Sequence, residues 1–414
     1  MLRVNPFAAL RPKPSVASEV ASVPYDVVDR EEARRLAAGH PLSFLHVVRS
    51  EIDLPDDTDP HADVVYDRAL SNFRALQRDV LVREGEPSIY LYRQETTLLG
   101  RRVQQTGVVA CCHVEDYANN LIKRHEKTRR DKEDDRTRHV LTLETNTGPV
   151  FVMYPDRPSI STLVAAETES SPLYDFVAVD GVRHVIWKSQ EPERYVEEFR
   201  RLGAAYVADG HHRAASAARA ASELAARNPT HHGDEEYNWF LCALFPASEL
   251  TVLPYHRVVR DLNGLDADGL LARLRAVATV EPTTIAMPDN AGSFGMYLAG
   301  HWYRVSLPAS VIIPNDPVRS LDYTLLSEHV LTPILGIGDI RTDQRIDFVG
   351  GIRGTGELAS RVDSGRAAVA FALRAASTAD VIRVADAGQI MPPKSTWFEP
   401  KLRSGLLVHT LTSG

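Results

Sequence analysis

One short turn of the sequence combines residue types that suit an anion, and it reads Asp209-Gly210-His211-His212-Arg213. The apolar run 204–208 before it predicts a buried strand, and the alanine-rich run 213–227 after it predicts a helix. The first amide groups of a helix have no acceptor inside the helix, so they attract anions, above all phosphate. Gly210 would let a phosphate approach the backbone closely. The turn therefore predicts a phosphate site; the alternative is a capped helix with solvated histidines.

A second polar segment, residues 124–136, is the most highly charged part of the chain. Its simplest interpretation is a solvated helix whose ion pairs contribute about 0.2–0.5 kcal/mol each. The alternative is a functional segment. His125 and Glu126 are adjacent groups that can transfer protons, and Arg124 and Arg136 are forked donors that suit phosphate.

The N-terminal part of the chain offers one candidate carboxylate, Asp26, which follows Tyr25 in an otherwise apolar run. A helix is predicted over 30–38, so Asp26 either caps that helix or points into a site. Capping is the simpler interpretation, because a short polar side chain before a helix accepts hydrogen bonds from its first amides. Further along, the apolar run 42–48 predicts a strand.

Two segments in the C-terminal half add polar groups. A strand that starts near Leu250 ends on the pair His256 and Arg257. The closing proline-rich segment is predicted to be a rigid loop that packs back onto the body of the protein, and three of its side chains are available to an anion: Lys394, Ser395 and Thr396. By contrast, the adjacent His231 and His232 would point in different directions, which makes a poor metal site.

The composition limits the class of protein. Of the 414 residues, 44% are hydrophobic and 25% are charged, which is the usual balance of a globular protein. The net charge of -8 argues against a protein that coats nucleic acid. The three cysteines make no disulfide framework, and the N-terminus lacks the apolar core of a signal peptide, so a cytoplasmic location is expected. No apolar run reaches membrane-spanning length, and no membrane partner is expected.

The chain is predicted to divide into three parts. Residues 1–260 are expected to form a phosphate-binding core with an N-terminal elaboration. The composition shifts near Asp261, and helical and strand segments alternate after it, so 261–385 is expected to form an additional α/β unit. Residues 386–414 are expected to form a C-terminal loop and strand that return to the site.

Five motifs spread over the chain resemble those of the bacterial domain-of-unknown-function family 1015. They read Tyr25-Asp26-Val27, Arg124-His125-Glu126-Lys127-Thr128, Asp209-Gly210-His211-His212-Arg213, His256-Arg257-Val258-Val259 and Pro392-Pro393-Lys394-Ser395-Thr396. The chain is identified as a member of that family on these motifs. Membership of this family does not itself state a reaction.

The Asp-Gly-His-His-Arg turn also resembles the nucleotide-binding turn of the ParB/sulfiredoxin superfamily, which includes the archaeal ADP-dependent free serine kinase. That resemblance covers the turn with its flanking strand and helix, and it implies a compact α+β domain that binds a nucleotide phosphate at the helix N-terminus. The predicted fold is therefore α+β: a ParB/sulfiredoxin-like nucleotide-binding core, to which the chain pattern adds an α/β unit and a C-terminal segment packing back on the core. The resemblance also implies phosphoryl transfer from ADP or ATP to serine, giving O-phosphoserine, with serine metabolism as the context. A phosphoserine phosphatase-like hydrolase and a non-catalytic nucleotide-binding regulatory protein are the alternatives.

The motif residues have expected roles in such a transfer, which depends on charge neutralisation and alignment. Glu126 is expected to take a proton from the acceptor hydroxyl or from water, with His125 beside it. His212 or His211 is expected to stabilise charge that develops on the transferred group, and Asp209 is expected to hold Mg²⁺. The expected phosphate-binding residues are Gly210, His211, Arg213, Arg124, Lys394, Ser395 and Thr396. The expected substrate-binding residues are Tyr25, Asp26, His256 and Arg257.

Overall fold

The chain folds into two units, and the structure, a computed structural model, describes residues 1–412. The first unit comprises Met1–Thr97, Arg102–Leu250 and the described part of Pro400–Gly414, and the second comprises Leu98–Arg101 and Thr251–Glu399. These limits differ from the predicted ones. The first unit ends at Leu250 rather than at 260, and the returning segment starts at 400 rather than at 386. The last two residues of that segment, 413 and 414, lie outside the described residues.

The helices and strands have the following bounds. The helices are α1 (Ala17–Val20), α2 (Arg30–Ala37), α3 (Leu45–Val48), α4 (Asp63–Asp79), α5 (Val114–Ala118), α6 (Arg130–Leu143), α7 (Pro158–Glu167), α8 (Pro192–Arg200), α9 (His211–Arg227), α10 (Ala267–Arg275), α11 (Asp322–Leu326), α12 (Gly354–Asp363) and α13 (Thr378–Asp386). The strands are β1 (Val4–Asn5), β2 (Leu10–Pro12), β3 (Leu81–Arg83), β4 (Tyr90–Leu98), β5 (Arg101–His113), β6 (Ile122–Lys123), β7 (Thr145–Asn146), β8 (Val150–Tyr154), β9 (Tyr174–Val177), β10 (Arg183–Lys188), β11 (Ala205–Asp209), β12 (Trp239–Pro246), β13 (Thr251–Leu253), β14 (Tyr255–Val259), β15 (Thr279–Pro282), β16 (Ser293–Leu298), β17 (His301–Ser306), β18 (Ile346–Gly350), β19 (Val369–Ala372), β20 (Trp397–Glu399) and β21 (His409–Thr410).

The first unit is built on one mixed sheet. Its strands lie in the order β6-β11-β8-β12-β5-β4-β10-β9, and β1 also pairs with β5. β11 runs parallel to β6 and antiparallel to β8, which in turn runs parallel to β12. β8 and β12 are buried almost throughout, which is why their sequences are continuously apolar rather than alternating.

Helices cover this sheet, and the alanine-rich α9 packs against α6 and α5. Its small buried residues, among them Ala214, Ala217 and Ala221, join the core formed by the strands, since short side chains let neighbouring elements approach closely. A second core lies among α2, α3 and α4. The C-terminal segment of this unit is anchored by β21, which pairs with β7, and by a bridge between Leu10 and Val408.

Two predictions of local structure in the first unit are wrong. Residues 124–129 form a loop, so the charged segment becomes helical only at α6. The apolar run 42–48 contains α3 rather than a strand. Its residues Phe44, Leu45 and Val48 are buried on the helical core, and a short apolar run can form either element.

The second unit contains a six-stranded sheet among the described residues, in the order β15-β17-β16-β19-β14-β18, and a separate pair of β13 and β20. α12 packs on this sheet, and Leu358 joins a core with Val258, Val349 and Ala370. With helices and predominantly antiparallel pairing in this unit and mixed pairing in the first, the protein is α+β, and the predicted class is confirmed. None of the helices within residues 1–412 is both long and apolar enough to span a membrane.

Candidate active site at the turn before helix α9

Two loops of the first unit lie side by side at one end of its sheet. β6 and β11 are parallel neighbours, with Ala205 opposite Ile122, so the C-terminal ends of both strands lie at the same end of the sheet. β6 continues into the loop 124–129, and β11 continues into Gly210 and α9. The pairing of these strands therefore places the loop with Glu126 beside the turn, although the two are far apart in the sequence.

The turn itself consists of a glycine in a left-handed conformation followed directly by an uncapped helix. Gly210 has a φ of 87°, in the left-handed region that glycine adopts most readily. α9 follows directly, and no side chain of the described residues caps it. The Ala214 amide donates to the Gly210 carbonyl at 3.0 Å as the helix begins. The amides of His211, His212 and Arg213 precede this bond and have no acceptor inside the helix, so they are donors that an anion can use.

Two cations and two carboxylates surround the turn. Arg213 donates from Nη1 to the Pro149 carbonyl, and its Nη2 lies 3.4 Å from Asp209 Oδ2 and 3.7 Å from Asp26 Oδ2. Lys401 Nζ lies 3.4 Å from the same Asp209 oxygen. Burial alone would raise the pKa of Asp209, but Lys401 and Arg213 outweigh it and hold that pKa well below its usual value. Asp209 is therefore a carboxylate at neutral pH, and both cations face it.

Two buried histidines lie against each other next to these charges. The rings of His125 and His211 meet edge to face with their centroids 4.6 Å apart. Burial lowers the pKa of His125 to about 3 and that of His211 to about 4, so both rings are neutral at pH 7. His211 Nδ1 lies 3.9 Å from Glu126 Oε2, and His211 Nε2 is buried with no hydrogen-bond partner in residues 1–412. A buried ring nitrogen of this kind is expected to pair with a ligand or a water.

His212 connects the two segments of the site. Its Nε2 accepts a hydrogen bond of 3.0 Å from the Arg129 amide, at the end of the loop 124–129. A ring nitrogen that accepts carries no proton, so the neutral ring has its proton on Nδ1. Burial lowers the pKa of His212 and favours this neutral form. Nδ1 is therefore the atom with which His212 can donate to a ligand.

The site is partly open to solvent. The carboxylate side chains keep part of their surface exposed, 34% for Glu126, 31% for Asp26 and 27% for Asp209. Behind Arg213 there is a cavity of about 30 Å³, lined among others by Tyr25, which has room for about one water. This cavity is too small for a ligand as large as a nucleotide, which must therefore reach the turn from the side on which the three carboxylates are exposed.

The structure changes the interpretation of Asp26. Asp29, not Asp26, caps α2, because its side chain accepts a hydrogen bond of 2.8 Å from the Glu32 amide. The capping interpretation of Asp26 is wrong. Asp26 lies in the short 3-10 turn Tyr25–Val27, and its Oδ2 is 3.7 Å from Arg213 Nη2.

Arg124 and Arg136, the two arginines of the charged segment that are expected to suit phosphate, have aromatic partners. The guanidinium of Arg136 lies 4.3 Å from the ring centre of Tyr25 and is ion-paired with Asp135. Arg124 is exposed and lies 5.3 Å from the ring centre of Tyr117, whose hydroxyl accepts from it at 3.5 Å. Arg136 therefore holds Tyr25 in place, and the phosphate-binding role of Arg124 stays a prediction.

The remaining predicted site residues belong to the second unit, where they form one cluster. Arg257 is buried between the rings of Tyr323 and Phe348, and its Nη2 donates to the Pro393 carbonyl at 3.1 Å, next to Lys394. The other members also have contacts inside this unit: His256 Nδ1 accepts from the Leu373 amide at 3.2 Å, and Ser395 donates to the Pro392 carbonyl at 2.7 Å. Thr396 lies in the same loop. The roles of all five toward the turn stay predictions.

Lys401 is a site residue that the sequence reasoning missed. It follows Pro400 in the same proline-rich segment that contains Lys394, and one basic residue in that segment looks much like another. Only the return of the chain to the first unit at Pro400 identifies Lys401 as the lysine that contacts Asp209. The Pro149 carbonyl, which accepts a hydrogen bond from Arg213, is a backbone group, so no residue type in the sequence indicates it.

Metal-ligating side chains gather elsewhere on the chain. Within the described residues, His232, Asp234 and Glu235 have ligand atoms close enough together for one ion, but they lie in a surface loop. Asp209 belongs to no such group in that part of the chain and has two cations beside it. A metal at Asp209 would need phosphate oxygens among its ligands, which is the usual way in which proteins bind Mg²⁺.

Comparison with known sequences now gives the family. The family model described as a protein of unknown function, DUF1015, matches residues 4–324. The chain belongs to that family. No curated protein matches the sequence.

Several solved structures resemble this fold at low identity. Free serine kinase in complex with AMP has 10% identity and a TM-score of 0.35, covering 73% of this chain and 91% of that chain. SbnI from Staphylococcus aureus, with a C-terminal truncation, has 13% identity and a TM-score of 0.37, covering 72% and 86%. A conserved hypothetical protein from Pyrococcus furiosus has 12% identity and a TM-score of 0.34, covering 73% and 94%. With TM-scores under 0.5, these likenesses assign no activity to this chain.

If the phosphate site predicted at this turn takes ADP, Gly210→Ala should weaken that binding about tenfold or more. A Cβ at this position would lie 2.9 Å from Cζ and Nε of Arg213, and the left-handed backbone is strained for alanine by about 1–2 kcal/mol. Calorimetric titration with ADP measures the loss. Gly203→Ala is the matched control, because its Cβ would meet no atom within 4 Å. Equal ADP affinity of the two variants would contradict the role given to Gly210.

Acid is expected to destabilise the first unit. The pKa values of His125 and His211 in the folded state lie below the value of about 6.5 for the unfolded chain. Below pH 6.5 these two histidines are therefore protonated in the unfolded chain but stay neutral in the folded protein. Stability should fall as the pH drops from 6.5 toward 4, by about 2 kcal/mol per histidine at pH 5. Urea unfolding at pH 7 and pH 5 measures this, and His211→Asn should reduce the difference. A wild-type protein equally stable at both values would rule the effect out.

Proposed function

We propose that this chain is a phosphotransferase that moves a phosphoryl group from a nucleotide to the hydroxyl of a small amino acid, with serine as the expected acceptor. The observation that carries the proposal is the uncapped start of α9, with Arg213 and Lys401 facing Asp209 beside it. Backbone amides at the start of a helix, next to a guanidinium, are groups that phosphoryl transfer uses to hold and neutralise phosphate.

The donor phosphate would bind to the amides of His211 and His212 and to the guanidinium of Arg213. The bond to the Pro149 carbonyl already holds that guanidinium, so little reorganisation is needed when charge develops on the transferred group. Removal of one such donor typically costs about 100- to 1,000-fold in rate. The neutral His211 and His212 would add donors from their rings.

Glu126 would act as the general base. Its carboxylate is partly exposed, so a substrate can reach it, and the nearby His211 ring limits where it can point. In the transfer, the acceptor oxygen forms a bond to phosphorus while the bond from phosphorus to the bridging oxygen of the nucleotide breaks. The hydroxyl proton passes to Glu126. The products are the phosphorylated amino acid and a nucleotide with one phosphate fewer.

The charges at the turn favour a nucleotide that arrives with a cation. Arg213 and Lys401 are balanced by Asp209 and Asp26, and Glu126 adds a further negative charge. A bare nucleotide would add more negative charge next to these five side chains, whose charges do not sum to a cationic excess. Asp209 is the residue that would hold Mg²⁺ together with the phosphate, and the ion would neutralise phosphate charge there.

The acceptor would be oriented by Asp26. Its carboxylate is partly exposed and lies near the proposed phosphate position through Arg213, so it can pair with the amino group of an amino acid. Tyr25 would act through its position, since its ring is held on Arg136. A buried, neutral His125 would support the base by packing against His211.

Phosphorus NMR tests the proposal directly. The protein is incubated with Mg²⁺ and ADP or ATP plus a panel of amino acids, and O-phosphoserine is tested in parallel. Phosphoserine formed from serine and nucleotide supports the kinase. Phosphate released from O-phosphoserine without nucleotide would instead make the protein a hydrolase, and nucleotide binding without any product would make it a regulatory protein.

A further inference from the structure

The C-terminal segment of the first unit brings a lysine into the proposed site. The side chain of Lys401 is only 12% exposed, and its ammonium lies 3.4 Å from Asp209 Oδ2. Arg213 Nη2 lies 3.4 Å from the same oxygen, so one carboxylate atom holds both cations. An anion bound at the start of α9 would lie close to these two positive charges, which their ion pairs with Asp209 already hold in place.

Two buried glutamines fix the backbone next to this lysine. Gln94 on β4 and Gln105 on β5 are both fully buried, and Gln105 Nε2 donates to Gln94 Oε1 at 2.9 Å. Gln94 Nε2 donates to the Lys401 carbonyl at 2.8 Å, and Gln105 Nε2 also lies 3.3 Å from the Pro400 carbonyl. Buried amides are unfavourable unless they are hydrogen-bonded, and apolar side chains would fill the same strand positions at lower cost. The pair is explained by what it holds, which is the main chain at Pro400 and Lys401.

We propose that Lys401 binds the phosphate of the ligand and that Gln94 and Gln105 are positioning residues for it. This inference rests on the proposed phosphotransferase function, because it assigns Lys401 to the same anion. The alternative is an ion pair that only secures the C-terminal segment. The two differ in one measurable respect: a phosphate-binding lysine affects phosphorylated ligands selectively.

Calorimetric titration of the full chain with ADP, adenosine and inorganic pyrophosphate, each in the presence of Mg²⁺, tests this. Lys401→Ala and Lys401→Gln should bind ADP and pyrophosphate about 10- to 100-fold more weakly, as expected for losing a charged hydrogen-bond partner. Adenosine affinity should not change, and Lys401→Arg should restore most of the ADP affinity. Lys401→Gln keeps a hydrogen-bond donor for Asp209, so it preserves the fold if Lys401→Ala does not.

Variants of the other groups complete the design. Gln94→Leu should weaken ADP binding less than Lys401→Ala and leave adenosine affinity unchanged. Lys188→Ala is the matched control, because it removes an ion-paired lysine, bound to Glu84 at 2.6 Å, that has no role at the turn. Thermal unfolding of each variant reports the structural cost separately.

The outcomes separate the two proposals. Normal ADP affinity in Lys401→Gln would overturn the role of Lys401 and leave the phosphotransferase proposal intact. Equal losses for adenosine and ADP would also overturn it, in favour of a purely structural ion pair. If the wild type binds pyrophosphate but no nucleotide, the phosphotransferase proposal fails, while the pyrophosphate titrations still decide the role of Lys401. If the wild type binds none of the phosphates, both proposals are wrong.

Discussion

Arg213→Ala is expected to reduce kcat/KM for phosphoryl transfer at least about 100-fold. The substitution removes the forked donor proposed to bind the phosphate. It also removes the guanidinium that lies 3.4 Å from Asp209 and 3.7 Å from Asp26. Two carboxylates without that cation repel the incoming phosphate, so both binding and turnover should suffer. Steady-state rates of phosphoserine formation, with ADP affinity measured in parallel, give the size of the loss.

Two further substitutions on the same helix define the cause of that loss. Arg213→Lys keeps the positive charge but loses the forked donor geometry, so its kcat/KM should lie between those of the wild type and Arg213→Ala. Arg219→Ala is the matched control: it removes an ion-paired arginine of α9 whose partners, Asp134, Glu133 and Glu223, do not belong to the turn. If Arg213→Ala turned over substrate as fast as Arg219→Ala, the role proposed for Arg213 in the site would be wrong.

Glu126→Gln is expected to lower kcat about 100- to 10,000-fold while leaving ADP affinity close to that of the wild type. Glutamine has nearly the same shape but cannot accept the hydroxyl proton, so the effect should fall on the chemical step. Single-turnover rates with serine, together with calorimetric ADP binding, separate the two quantities.

Glu223→Gln is the matched control for this substitution. Glu223 lies on α9 with 35% of its side chain exposed, against 34% for Glu126, and its partners are Arg219 and Arg227. It should retain wild-type turnover. A Glu126→Gln enzyme with a normal single-turnover rate would show that another group, or water, takes the proton.

The local structure of the turn could be predicted because its determinants are adjacent in the sequence. The strand predicted over 204–208 is β11, and the helix predicted over 213–227 is α9, which starts two residues earlier. The apolar run, Gly210 and the alanine-rich stretch each favour one conformation, and all three agree. The same reasoning brought Glu126 into consideration from its residue type, but its place beside His211 depends on the parallel pairing of β6 and β11, which no local pattern shows.

One error was local, and the others depend on long-range contacts. Asp26 and Asp29 are both acceptable caps by residue type, but α2 starts at Arg30 as predicted, so Asp29 is the residue directly before the helix and Asp26 lies too far from it. The run 42–48 is apolar enough for a strand or a helix, and the core around Phe44 settles it as a helix. Lys401 could not be chosen over Lys394, because the buried pair of Gln94 and Gln105 that fixes it comes from strands about 300 residues earlier.

A crystal structure of the protein with Mg²⁺ and ADP tests the central claim most directly. We expect a phosphate of ADP at the start of α9, with its oxygens about 3 Å from the amides of His211 and His212 and from the Arg213 guanidinium. ADP bound at another place, with this turn and its surrounding charges unchanged, would contradict the account.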